Sequence, residues 1–296
     1  MISGVYVPLL TAYTADGGID PGACAEHARW LVNAGVDGLV PFGTSGEGPS
    51  LSVREKLATL AALFAAAPGT PIVPAITEAS LDTALQLAEA VSDLPAAGLL
   101  LLPPFYFRPL SEEGLRRFAE RVLAVSSHPV LLYHIPSLAP AVHLEAVADL
   151  PVWGVKDSSG DLSYTRAVLK AGKGVMVGAE HTIIDAIESG AQGTIAGLAN
   201  VLPEHLLAVV AAARAGDRPL ATRILDQALA FREKMLAGTG PLDWLPTLKR
   251  LAHARHGVNF GPARPPVPDV PPDLASSLIR HLQDTLSELE PGTALA

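Results

Sequence analysis

The sequence predicts an α/β fold, a closed (β/α)8 TIM barrel followed by a C-terminal helical extension. Eight short, continuously apolar runs recur between residues 5 and 197, and amphipathic helix patterns lie between most of them. Strands of a parallel sheet that helices cover are apolar throughout, and eight strand–helix units in a span of this length suit the closed barrel. A doubly wound open sheet is the alternative architecture.

The apolar runs give the predicted strands in order. They are VYVPLL at 5–10, DGLVPF at 37–42, PIVPAI at 71–76, AGLLLLPP at 97–104, PVLLYHIP at 129–136, VWGVK at 152–156, GVMVG at 174–178 and GTIAG at 193–197.

Helix start signals separate these runs. Asp20 followed by Pro21 is typical of an N-cap with proline in the first turn. Ser52 with Glu55 three residues later predicts a capping box, and the apolar residues that follow fall on one helical face. Ser111 begins a further helix with the same spacing. Strand therefore alternates with helix along the chain.

The pattern changes after residue 200, where strand-like runs stop. Helix-like segments follow near residues 204–215, 218–236, 241–255 and 272–287, with an extended proline-rich connection at 261–273. We therefore divide the chain into a barrel that carries the catalytic site, residues 1–200, and a barrel-completing helix with a C-terminal helical extension, residues 201–296.

Composition excludes several classes of function. The net charge is −9, and the sequence has no cluster of Lys and Arg residues of the kind that a nucleic-acid partner requires. A single cysteine, Cys24, cannot form an intrachain disulfide, which suits a reducing compartment. No apolar run approaches membrane-spanning length, and the first residues lack a leader pattern. We expect a cytoplasmic protein with neither a nucleic-acid nor a membrane partner.

Lys156 directly follows the apolar run PVWGV, where a buried strand would end. Removing a charged group from water costs free energy, so a lysine in such a place gives up its proton more readily. A neutral amine is a nucleophile. The alternative is a structural lysine that pairs with Asp157 or another carboxylate.

Chemistry in such barrels collects at the carboxyl ends of the strands. GTSGEG at 43–48 follows the second strand, where its glycine amides and the hydroxyls of Thr44 and Ser45 predict a nest for a carboxylate, the alternative being an ordinary tight turn. Tyr133 and His134 end the fifth strand, and a phenol there can move a proton or merely form a buried hydrogen bond. An amine, a phenol and an anion nest at one mouth suit Schiff-base chemistry on a 2-oxo acid.

Four motifs in order, GTSGEG, PPFYFRP, YHIPS and GVKDSSGD, resemble the dihydrodipicolinate synthase and N-acetylneuraminate lyase family of class I pyruvate-dependent aldolases. The resemblance covers nearly the whole chain. It implies that Lys156 forms an imine with the keto carbon and that Tyr133 moves the proton. It further implies that Thr44 relays this proton toward Tyr106 of a neighbouring subunit.

The resemblance also implies how the substrate is bound. The amides of Thr44 and Ser45 would hold the carboxylate, and Gly178 and Ile195 would border the pyruvyl group. The partners would be a small 2-oxo acid and an aldehyde. Members of this family are commonly tetramers of tight dimers, and they use no metal and no organic cofactor.

Departures from the family pattern bear on the substrate. Leu138 stands where enzymes of lysine biosynthesis carry an arginine, and His134 and Phe107 each replace an asparagine. The missing cation argues against 4-hydroxy-tetrahydrodipicolinate synthase. Glu180 or His134 could bind substrate hydroxyls, which favours a 2-keto-3-deoxy sugar acid. The synthase, or a non-catalytic protein that binds a 2-oxo acid, remains the alternative.

Two other enzyme classes lack their motifs. The nine histidines show neither H-E-x-x-H nor H-x-H, so the sequence lacks the ligand motifs that are typical of a metal hydrolase. GKGVMVG at 172–178 misses the G-x-G-x-x-G spacing of a dinucleotide site.

Overall fold

The computed structural model describes residues 2–237 and 244–289, and its strands overlap the eight predicted runs. The strands are Gly4–Val7 (β1), Gly38–Leu39 (β2), Ala75–Ile76 (β3), Leu99–Leu101 (β4), Val130–His134 (β5), Gly154–Asp157 (β6), Gly174–Val177 (β7) and Gly193–Ile195 (β8). Every strand is shorter than its predicted run. In addition, β1 begins one residue before its run and β6 ends one residue after its run.

Helices follow the strands as predicted. They are Pro21–Asn33 (α1), Val53–Ala66 (α2), Leu81–Ser92 (α3), Glu112–Leu123 (α4), Leu144–Asp149 (α5), Leu162–Lys170 (α6), Ile183–Glu188 (α7), Pro203–Arg214 (α8), Arg218–Ala237 (α9), Trp244–His256 (α10) and Pro272–Glu288 (α11). Residues 241–243 of the predicted segment 241–255, and residues 290–296 at the end of the chain, lie outside the described residues.

The strands form one parallel sheet in the order β2-β1-β8-β7-β6-β5-β4-β3. A parallel bridge between Leu39 and Ile72 joins the two ends of this order. The Val73 amide donates to Leu39 O at 2.8 Å, and the Ala75 amide donates to Pro41 O at 3.0 Å. These bonds close the sheet on itself, so the predicted barrel is confirmed and the open-sheet alternative is wrong.

Side chains at the predicted helix starts explain where these helices begin. The Ser52 hydroxyl accepts from the Glu55 amide, and the Glu55 carboxylate accepts from the Ser52 amide at 2.8 Å. This reciprocal arrangement is the predicted capping box of α2. Asp20 accepts from the Ala23 amide at 3.0 Å, and Ser111 caps α4 in the same way.

The C-terminal helices complete the structure around the barrel. Helix α8 packs along α9 and against β1, and α11 packs on α9 and α10. The extended segment between α10 and α11 returns to the barrel, where Arg264 donates to the carbonyls of Gly17 and Ser50. Within the described residues, no helix combines the length and apolar character needed to cross a membrane.

Candidate active site

A cavity of about 750 Å³ opens at the carboxyl ends of the strands. Its lining joins strand-end residues of the barrel to side chains of α9 and α10. The lining residues are Pro8, Thr44, Ser45, Tyr133, Ile135, Ser137, Leu138, Lys156, Ser158, Gly178, Glu180, Ile195, Gly197, Leu198, Arg232, Met235, Leu236, Trp244 and Leu248.

The register of β5 and β6 decides which side chains enter this cavity. Tyr133 pairs with Lys156, and His134 pairs with Asp157. Because successive side chains of a strand point to opposite faces, Tyr133 and Lys156 share the cavity face. Asp157 faces the helices, where Thr165 donates to its carboxylate at 2.7 Å. The structure therefore excludes the alternative that Lys156 serves to pair with Asp157.

Lys156 and Tyr133 form the buried floor of the site. Lys156 is 3% exposed, and its Nζ lies 4.1 Å from the centroid of the Tyr133 ring. The Tyr133 hydroxyl shares a hydrogen bond of 3.2 Å with Thr44 Oγ1. The Lys156 amine therefore contacts the Tyr133 ring, and the Tyr133 hydroxyl contacts the Thr44 hydroxyl.

The electrostatics of this group favour ionisation of the phenol. Burial alone would raise the pKa of Tyr133, because it disfavours the phenolate. The positive charge of Lys156 opposes this effect, and together with hydrogen bonds from Thr44, Lys156 and Ser158 it outweighs the effect of burial. The net result is a Tyr133 pKa below its ordinary value, which suits a group that gives and takes a proton.

The GTSGEG segment turns tightly enough to direct Thr44 and Ser45 into the cavity. Glu47 has left-handed backbone angles, with φ of +53°, and its amide donates to Thr44 O at 3.1 Å. A methyl group on Gly48 would lie 1.8 Å from Phe42 O, so only glycine permits this approach. Backbone contacts within residues 42–48 therefore hold the shape of this turn.

Gly178 leaves room for the Ser158 side chain beside Lys156. A methyl group at this position would lie 2.1 Å from Ser158 Oγ and 3.4 Å from Lys156 Cε. Ile195, at the end of β8, contributes an apolar wall of the same cavity. Both residues therefore line the cavity that Lys156 enters, and their contact with a bound pyruvyl group remains a prediction.

Glu180 lies on the cavity wall with a cation beside it. Its Oε2 is 3.3 Å from Arg232 Nε, and the Leu198 amide points at its Oε1 at 3.5 Å. Arg232 belongs to α9, in the C-terminal part of the chain. This part of the cavity wall therefore carries both signs of charge.

His134 does not reach the cavity, and its predicted contact with substrate does not fit the geometry. Its ring stacks on Tyr164 with centroids 4.1 Å apart, and its Nδ1 accepts from the Val142 amide at 3.0 Å. The physical reason is the alternation of side chains along β5, which turns His134 away from the face of Tyr133.

Tyr106 lies outside the cavity of its own chain. It is 79% exposed on the loop after β4, and its ring meets Phe107 edge to face at 5.6 Å. Phe107 and Leu138 are also exposed. One chain therefore does not bring Tyr106 to Thr44, and the predicted relay between them requires another subunit.

Sequence reasoning missed several residues of the site. Ser158 follows Lys156 by two positions and so shares its face, a signal that strand alternation supplies. Arg232, Met235 and Trp244 come from helices remote in sequence, and no short-range pattern marks them. Among the described residues, no three His, Cys, Asp or Glu side chains are grouped as metal ligands.

Comparison with known proteins agrees with this geometry. The sequence profile of the dihydrodipicolinate synthetase family matches residues 1–285. An uncharacterized DapA-like lyase of Halobacterium salinarum is 30% identical, over 96% of this chain and 94% of its own. The 4-hydroxy-tetrahydrodipicolinate synthase of Moorella thermoacetica is 29% identical, over 95% and 97%.

Solved structures of aldolases have the same fold as this chain. A variant of the 2-keto-3-deoxygluconate aldolase of Sulfolobus solfataricus superimposes with a TM-score of 0.88 at 26% identity, over 96% of this chain and 97% of its own. Fold and comparisons together define a lyase of the class I aldolase type. The chain belongs to the dihydrodipicolinate synthetase family, as its motifs predicted.

Proposed function

We propose that this protein is a Schiff-base aldolase that cleaves or forms a 2-keto-3-deoxy sugar acid, with pyruvate as the product or donor. The observation that carries the proposal is the buried Lys156 amine, 4.1 Å from the Tyr133 ring, at the floor of an open cavity. A structural lysine would be paired with a carboxylate, whereas the neighbouring carboxylate of Asp157 is held on the other face by Thr165.

The chemistry follows from these groups. Lys156 first passes its proton to the Tyr133 phenolate, which leaves a neutral amine that adds to the keto carbon. The resulting carbinolamine loses water, helped by a proton from Tyr133, to give a protonated imine. In the cleavage direction, the Tyr133 phenolate takes the proton of the C4 hydroxyl. The C3–C4 bonding electrons then move into the imine, and the aldehyde leaves. Protonation of the enamine at C3 and hydrolysis of the imine release pyruvate and restore the amine.

The carboxylate end of the substrate would be held by the GTSGEG turn. Its Thr44 and Ser45 side chains line the cavity, and the backbone amides of such a turn form an anion nest. Gly178 and Ile195 would border the pyruvyl carbons. We propose that Tyr106 completes the Thr44 proton relay in the site of a second copy, which its exposure supports, within a homodimer or homotetramer.

The sugar end of the substrate would meet Glu180. A carboxylate accepts hydrogen bonds from hydroxyl groups, and apolar Leu138 at the mouth offers no cation to a second carboxylate. The alternative is 4-hydroxy-tetrahydrodipicolinate synthase, which condenses pyruvate with aspartate semialdehyde. Arg232 favours it, because this cation also lines the cavity, although Glu180 pairs with it.

The remaining expectations from the sequence belong to the same proposal. We place the catalytic barrel at residues 1–200 and the barrel-completing helix and helical extension at 201–296. A location in the cytoplasm suits the single buried cysteine, Cys24. The reaction as written needs no metal and no organic cofactor.

The test is covalent trapping. Borohydride reduces an imine to a stable amine, so the intact protein should gain the mass of one reduced pyruvyl group when pyruvate is present. Digestion should place that mass on Lys156. A protein that binds pyruvate without forming the imine gains no mass, and this result would favour the non-catalytic alternative.

A further inference from the structure

A buried ion pair lies behind the GTSGEG turn. Glu47, in the turn, is 5% exposed and pairs with Lys249 of α10, which is 4% exposed. Charges removed from water are tolerated when they are paired. The pair therefore fastens the turn to a helix of the C-terminal part of the chain.

A second cation holds the chain beyond the turn. Tyr13 lies between Lys249 and Arg264, each with its charged group 4.4 Å from the ring centroid. Arg264 donates to Ser50 O at 2.8 Å and to the Glu55 carboxylate at 2.7 Å. The segment from the turn to the start of α2 is thus held at both ends by cations from outside the barrel.

The pair has a short path to the reacting groups. Glu47 has a left-handed backbone, which is unfavourable for a residue other than glycine. Its amide closes the turn on Thr44 O at 3.1 Å, and the Thr44 hydroxyl meets that of Tyr133 at 3.2 Å. The ion pair with Lys249 therefore helps to keep Glu47 in its unfavourable left-handed conformation.

We propose that Lys249 and Glu47 are positioning residues for the carboxylate of the 2-oxo acid. The ion pair holds the turn in the shape that presents the amides of Thr44 and Ser45 to that carboxylate. This inference rests on the proposed function, because it concerns the same turn and the same substrate. Lys249 itself does not line the cavity and acts only through Glu47.

The experiment measures borohydride trapping against pyruvate concentration in Lys249→Met. We expect half-maximal labelling to need about tenfold more pyruvate, because the hydrogen bonds from the Thr44 and Ser45 amides to the carboxylate weaken when the turn shifts. Maximal labelling should stay unchanged. Methyl pyruvate, with an ester in place of the carboxylate, should label both proteins with equal concentration dependence. The matched control is Lys173→Met, because the Lys173 amine donates to Leu150 O, before the amino end of β6 and away from the site.

A double variant separates positioning from stability. In Lys249→Met/Glu47→Gln no unpaired charge remains buried, so the variant should recover thermal stability while its half-maximal pyruvate concentration stays raised. Lys249→Arg, which keeps the cation, should restore part of the affinity. Normal pyruvate dependence in Lys249→Met or in the double variant, or an equal loss with methyl pyruvate, overturns the inference. A wild-type protein that is not labelled at all overturns the proposed function instead.

Discussion

His27 Nδ1 lies 3.1 Å from His256 Nε2, and the two rings stack with centroids 4.9 Å apart. His27 belongs to α1 and His256 ends α10, so the contact joins the barrel to the C-terminal helices. The Asn200 Oδ1 accepts from the other nitrogen of His27, Nε2, at 2.9 Å. Two imidazoles this close, with one fully buried, tolerate protonation poorly.

The first prediction concerns this pair. Burial, with a further contribution from the charge of His256, lowers the pKa of His27 to about 3, although the Asn200 hydrogen bond opposes the shift. The unfolded chain binds this proton near pH 6.5, so stability is complete above that pH and is lost as the pH falls toward 3. Between pH 6 and pH 5, chemical denaturation should show a loss of about 1 kcal/mol in the free energy of unfolding from His27.

His27→Gln should lower stability at neutral pH and flatten this acid dependence. His181→Gln is the matched control, because His181 is exposed. An acid dependence as steep in His27→Gln as in the wild-type protein would show that another group carries the effect.

The second prediction concerns the amine. Lys156→Ala should abolish borohydride trapping with pyruvate, because the amine that would form the imine is removed. Lys56→Ala is a poor comparison, since Lys56 is buried in its own pair with Glu78. Lys173→Ala, outside the cavity, is the suitable control and should label normally. Labelling that survives in Lys156→Ala would contradict the assignment.

The third prediction concerns the phenol. Tyr133→Phe should retain much of the trapping but reduce turnover by roughly 10²-fold or more, because the ring remains while the proton-moving hydroxyl is lost. Tyr164→Phe removes a hydroxyl that donates to Val142 O at 2.8 Å outside the cavity, and its turnover should stay near normal. Equal turnover in the two variants would remove Tyr133 from the mechanism.

The fourth prediction concerns the substrate. The kcat/KM for cleavage of 2-keto-3-deoxygluconate should exceed that for condensation of pyruvate with aspartate semialdehyde, since competing substrates are selected at this ratio. Leu138→Arg should raise the condensation by about tenfold or more, because an arginine contact with a carboxylate contributes about 1.5–3 kcal/mol. Leu138→Met, similar in size and uncharged, should not. Efficient condensation by the wild-type protein, with no cleavage of sugar acids, would favour the synthase.

The sequence predicted the barrel and the buried amine because both depend on local patterns. Alternating apolar runs and capping residues such as Ser52 mark the elements, and a lysine at the end of an apolar run is visible by itself. The assignment of His134 failed because neighbours on a strand face opposite ways, so it and Tyr133 cannot both face the cavity. Arg232 and Lys249 could not be predicted from the sequence, because only tertiary packing brings their helices, α9 and α10, close to the mouth of the barrel.

The pairing of Tyr133 with Lys156 also sets a rule for insertions and deletions. Side chains alternate with a period of two, so losing one residue from β5 would present His134 to the cavity and turn the phenol toward the helices. Losing one residue from β6 would likewise exchange the amine for the Asp157 carboxylate. Length changes by an even number preserve the facing, so within these two strands parity matters more to the site than length does.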